Sequence, residues 1–146
     1  MNLLKEILIK FHYFIRYAKI SNFLYRRNNS RLKRPVTEII IYSEEQLKNI
    51  IESNAAVVSY YSTKDCGVCK ILKPKIIKLL AEEFPKIKFV YINVNNLREL
   101  AAQNSVFSVP TVLLFVEGRE TLRYSRNINL DEFSGSVGRI YGMLFD

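Results

Sequence analysis

Two cysteines stand three residues apart in Cys66-Gly67-Val68-Cys69, and they are the only two in a chain of 146 residues. Thiols at that spacing on a helix face each other across one turn, close enough to interconvert between a dithiol and an intramolecular disulfide. They cannot be a framework of structural disulfides, which uses several bridges closing longer loops. A zinc site needs about four ligands, usually Cys and His. The chain holds a single His, at position 12, so zinc would require a second chain. The expectation is a redox pair with no metal and no bound cofactor.

The residues around the pair place it on a strand-to-helix turn. Ala55 to Tyr61 is rich in β-formers and nearly free of polar side chains, as for a central strand buried on both faces. From Cys66 to about Phe84, Ile71, Leu72, Ile76, Leu79 and Leu80 form an apolar stripe at helical spacing, closed by Pro85. A cysteine opening that helix meets unpaired N–H groups and the positive end of the helix dipole, which favour thiolate. Cys66 is therefore the expected nucleophile and Cys69 the resolving thiol. Gly67 leaves room for a substrate backbone, and Val68 is a stiff spacer.

The flanking segments alternate between strand and helix. Ile39 to Tyr42 predicts a strand, and Ser43 with Gln46 three residues on predicts a capped helix to about Ser53. Strands follow at Ile87 to Val94, Thr111 to Val116 and Glu120 to Tyr124, the last two joined by a tight turn at Glu117-Gly118. A short helix is predicted over Leu97 to Gln103 and a longer one over Leu130 to Leu144, weakened by Gly135, Gly138 and Gly142. The order implies an α/β fold: a central mixed sheet flanked by helices, with an antiparallel hairpin at one edge.

Charge divides the chain. The net charge is +8. Residues 1–37 carry nine basic side chains and only Glu6 as an acid, so residues 38–146 are neutral overall. Nucleic-acid binding is not expected of a neutral domain. Leu4, Ile7, Leu8, Phe11, Phe14, Ile15 and Ala18 line one face of an amphipathic helix, followed by a basic linker ending at Pro35. This N-terminal extension could pack on its own domain or lie on an anionic membrane surface. Lys5, Glu6, Lys10, Arg16 and Lys19 interrupt any secretory apolar run, so a cytoplasmic location and a monomeric domain over residues 38–146 are expected.

Several features in register across residues 38–146 resemble the thioredoxin family. Lys70 follows the second cysteine and Pro74 stands five residues after it. Ser108-Val109-Pro110-Thr111 is similar to the family's Val/Ile-Pro-Thr. The resemblance implies a cis Pro110 lying against the dithiol, with Val109 and Pro110 shaping the edge that binds an extended substrate. It also implies a thiol–disulfide oxidoreductase acting on protein disulfides and recharged by a thioredoxin reductase or a small thiol. The alternative is a non-catalytic module tethered by its basic N-terminal helix.

The departures are specific. The chain has no Trp; the family's two tryptophan positions hold Ser62 and Asp65, and its buried aspartate and partner lysine fall at Tyr60 and Tyr91. No buried carboxylate is then available to take the Cys69 proton. Val68 replaces a proline, and Ser125-Arg126-Asn127 lacks a glycine that the family carries there. Lys70 and Lys73 read either as a solvated helix face or as charges acting on the site.

Overall fold

The computed structural model describes residues 35–146, so the expected amphipathic helix and nearly all of the extension over residues 1–37 lie outside the described residues. The elements are β1 (Glu38–Ile40), α1 (Glu44–Ser53), β2 (Ala56–Ser62), α2 (Gly67–Glu83), β3 (Lys88–Asn93), α3 (Arg98–Gln103), β4 (Thr111–Val116), β5 (Arg119–Ser125) and α4 (Leu130–Phe145). The five strands form one sheet in the order β1-β3-β2-β4-β5. β1, β3 and β2 run parallel, while β4 and β5 are antiparallel to their neighbours. This is the mixed sheet with an edge hairpin that the sequence predicts.

Strand alternation splits the interior into two cores. Ala56, Val58 and Tyr60 of β2, Phe89 of β3, and Val112 and Leu114 of β4 face one side, against Leu72, Ile76 and Leu80 of α2 and Phe133 and Val137 of α4. Val57, Tyr61, Val90, Ile92, Leu113 and Phe115 face the other, against Leu47 and Ile51 of α1 and Leu100 and Ala101 of α3. β2 is buried at every position, because helices cover both faces and strands flank both edges. Each fully buried aliphatic or aromatic side chain contributes about 1.5–3 kcal/mol.

Local signals set the boundaries. Ser43 caps α1 by accepting from Gln46 N at 3.1 Å, and the Gln46 side chain reaches back to accept from Tyr42 N at 2.8 Å and donate to Ile40 O at 3.1 Å. That side chain takes the backbone groups at the end of β1, so the strand stops at Ile40 and Tyr42 is exposed. The β4–β5 turn puts Glu117 at φ 47° and Gly118 at φ 81°, the left-handed pair that a two-residue hairpin needs. One expectation is corrected. Ile71 is 64% exposed, because α2 buries the row Cys69, Leu72, Ile76 and Leu80, and Ile71 lies about 100° around the helix from Leu72. α4 runs unbroken for 16 residues through its glycines, capped by Asn129 and held by Phe133 and Val137; packing outweighs weak propensity.

Candidate active site

β2 ends at Ser62, and a short turn delivers Cys66 as the N-cap of α2. Cys66 and Cys69 are joined in a disulfide with Cα atoms 5.2 Å apart. The Cys69 N–H donates to Cys66 Sγ at 3.2 Å, so the sulfur occupies the place of a capping oxygen at the helix start. The two sulfurs differ in access. Cys66 is half-buried, whereas Cys69 is 1% exposed and belongs to the core. A Cβ built at Gly67 meets no atom within 4 Å, and Val68 is 62% exposed, so the dipeptide between the cysteines faces open space.

The antiparallel register of β2 and β4 brings the second motif to the same end of the sheet. Tyr61 pairs with Thr111, which puts Val109-Pro110 beside the point where the chain leaves β2 for the dithiol. The Val109–Pro110 bond is cis, as the resemblance implied. Val109 and Cys66 are both half-buried against the core that holds Cys69. Pro110 O accepts from Arg126 N at 2.8 Å, and Thr111 Oγ1 donates to Ser108 O at 2.7 Å. Arg126 adopts φ 64°, a left-handed conformation, within the segment Ser125-Arg126-Asn127 that lacks the glycine the resemblance implies there.

Beneath the dithiol, Tyr60 is fully buried and donates its hydroxyl hydrogen to Cys69 O at 2.9 Å. Burial first, and the neighbouring Tyr91 second, push its hydroxyl far above the ordinary tyrosine range. Tyr60 and Tyr91 are direct partners in the β2–β3 register, so the two positions that diverge from the family diverge together. Lys73 lies over the Tyr91 ring, its Nζ 4.4 Å from the centroid, and bonds Glu38 Oε1 at 2.6 Å. A cleft of about 380 Å³ is lined by Ser62, Thr63, Lys64, Cys69, Lys70, Lys73 and Tyr91.

The structure thus gathers Cys66, Gly67, Val68, Cys69, Val109 and Pro110 at one sheet end. Sequence reading missed Glu38, whose link to Lys73 spans 35 positions and leaves no local trace. It also missed Phe107, 85% exposed in the loop before Val109; an aromatic residue two positions ahead of Val-Pro-Thr was the available signal. Among the described residues no group of His, Cys, Asp and Glu could hold a metal ion.

Comparison with known proteins agrees with this geometry. The thioredoxin family model matches residues 38–138. The thioredoxin-like protein YdfQ of Bacillus subtilis is 32% identical over 101 residues, covering 69% of this chain and 89% of that protein. The thioredoxin of Mycoplasma pneumoniae is 36% identical over 88 residues, covering 60% of this chain and 83% of its own. Among solved structures, thioredoxin from Trypanosoma brucei brucei superposes with a TM-score of 0.67 at 25% identity, over 75% of this chain and 95% of that one.

Proposed function

This chain belongs to the thioredoxin family and is a thiol–disulfide oxidoreductase, and from that premise we propose that Cys66 is its nucleophile and Cys69 its resolving thiol. The observation that carries the assignment is the difference in access: Cys66 is half-buried beside the open Gly67-Val68 segment, while Cys69 is 1% exposed. An incoming disulfide reaches the first sulfur and not the second. The Cys69 N–H on Cys66 Sγ and the α2 dipole favour the Cys66 thiolate in the reduced protein.

The exchange proceeds in two displacements. The Cys66 thiolate attacks one sulfur of a substrate disulfide, forming a mixed disulfide and expelling the other as a thiolate that takes a proton from water. Cys69 then loses its proton and attacks Cys66 Sγ. The Cys66–Cys69 bond forms, the mixed disulfide breaks, and the second substrate thiol leaves. Two electrons pass from the dithiol to the substrate. Gly67 and Val68 on one side, and Val109 and Pro110 on the other, frame the approach of an extended substrate segment. The protein acts on disulfide substrates and is recharged by a reductant.

The finer partners belong to the same proposal. The donor is a thioredoxin reductase or a small thiol, the location is cytoplasmic, and the working unit is a monomer. Support comes from cysteine usage: both cysteines form one dithiol, the economy expected in a reducing compartment. The excess positive charge of residues 1–37 supports contact with an anionic membrane surface.

Insulin reduction by the full chain, with thiol trapping in glutathione buffers, tests the roles. Cys66→Ser is expected to abolish turnover, and Cys69→Ser to trap mixed disulfides. A Cys66→Ser protein as active as the parent would overturn the assignment. Co-sedimentation with anionic liposomes, with and without residues 1–37, tests the membrane contact, and equal sedimentation removes it.

A further inference from the structure

In the resolving step Cys69 must give up its proton from a site with almost no solvent exposure. Tyr60 OH already donates to Cys69 O, and its burial keeps it protonated. Among the described residues, no carboxylate lines the cleft that reaches Cys69. What reaches Cys69 is the cleft shared by Lys64, Lys70, Lys73 and Tyr91. Lys64 and Lys70 are exposed, so water and salt screen their charges. Lys73 differs on each count. It is one helical turn beyond Cys69 on α2, which places it on the same side of the helix. Its side chain is 30% exposed, it lies across the Tyr91 ring, and Glu38 of β1, 31% exposed, holds its ammonium at 2.6 Å. A long, mobile lysine is thereby pinned at the cleft from two elements.

We propose that Lys73, fixed by Glu38 and Tyr91, is the charge that stabilises the Cys69 thiolate for the resolving step, and that the Cys69 proton leaves through the cleft they line. Glu38 acts as a positioning residue through Lys73. The inference rests on Cys69 being the resolving thiol. The chemistry balances without a further reactant: the proton lost by Cys69 passes to solvent in the cleft, and the departing substrate thiolate takes one up.

The experiment is rapid mixing of the reduced full chain with an aromatic disulfide that releases a coloured thiolate. The first thiolate released reports attack by Cys66, and the second reports displacement by Cys69. In the mixed disulfide Cys66 no longer titrates, so the pH midpoint of the second phase belongs to Cys69 and to the groups facing it: Lys64, Lys70, Lys73, Tyr60, Tyr91 and, through Lys73, Glu38. Lys73→Met and Lys73→Gln are expected to slow the second phase about three- to tenfold at neutral pH and to move its midpoint upward. The first phase should stay within about twofold, a range far smaller than that expected from misfolding of the site. Lys73→Arg should restore most of the rate, and Glu38→Gln should give a smaller slowing in the same direction. A second phase unchanged in rate and midpoint in both Lys73→Met and Lys73→Gln overturns the proposal, as does Lys73→Arg behaving like Lys73→Met. Absence of any second phase in the parent protein would instead overturn Cys69 as the resolving thiol.

Discussion

Tyr60 and Tyr61 are neighbours on β2, both fully buried, and they point into opposite cores. Tyr60, on the side of α2 and α4, donates to Cys69 O and ties the central strand to the active-site helix. Tyr61, on the side of α1 and α3, buries its hydroxyl with no partner beyond the Ser59 hydroxyl, which is buried beside it two residues back on the same strand face. The same residue type at consecutive positions thus does different work. One side of the sheet ties a buried hydroxyl to the dithiol helix, and the other is scaffolding that leaves two buried hydroxyls to each other.

The sharpest separation of the two sides comes from substitutions that remove either chemistry or packing. Leu100→Ala, in the scaffolding core, should cost about 2–5 kcal/mol by urea unfolding. Insulin reduction per folded molecule should stay unchanged in that variant, whereas Cys66→Ser should remove it. Loss of intrinsic activity in Leu100→Ala would break the division.

Alkaline titration sharpens it next. Burial pushes the Tyr61 hydroxyl up to about 12, and Tyr60 is raised further. Above about pH 10 the unfolded chain releases these protons while the folded chain keeps them, so stability intact below that pH falls as pH rises. Each buried tyrosine contributes a slope of about 1.4 kcal/mol per pH unit; for Tyr61 it ends near pH 12. Thermal melts followed by circular dichroism between those limits should steepen accordingly. Tyr60→Phe and Tyr61→Phe should each flatten the decline, and an unaltered slope in either would exclude that tyrosine.

Near neutral pH the two phenylalanine variants should diverge. Tyr60→Phe removes the buried bond to Cys69 O and should cost about 1 kcal/mol, whereas Tyr61→Phe removes a hydroxyl met only by Ser59 and should be closer to neutral. Equal costs in denaturant titration would break that contrast. The smallest effect lies at the edge of the site: Arg126→Gly relieves a left-handed non-glycine backbone, partly offset by a looser unfolded chain, for a gain of about 0.5 kcal/mol.

Much of this was legible in the chain. Cys66 and Cys69, with the strand before and the helix after them, are local features whose spacing declares the chemistry. Val109-Pro110 was legible as a motif, and its place beside the dithiol follows from the β2–β4 register. Ile71 misled because an apolar residue at nearly helical spacing looks the same whether it faces the core or solvent; only the packing of α2 against the sheet selects the row. The last helix was legible despite its glycines, and the burial of Phe133 and Val137 explains why it persists against their weak propensity.

By itself the sequence determined the dithiol, its strand-to-helix setting and the alternation that builds a two-sided sheet, because each depends on residues within a turn or a strand of one another. Tertiary structure decided which sulfur is accessible, what Tyr60 does with its hydroxyl, and that Glu38 holds Lys73 over Tyr91. Those depend on contacts between residues distant in the chain, where several pairings satisfy the local rules and only the shared packing of α2, β1 and β3 selects one.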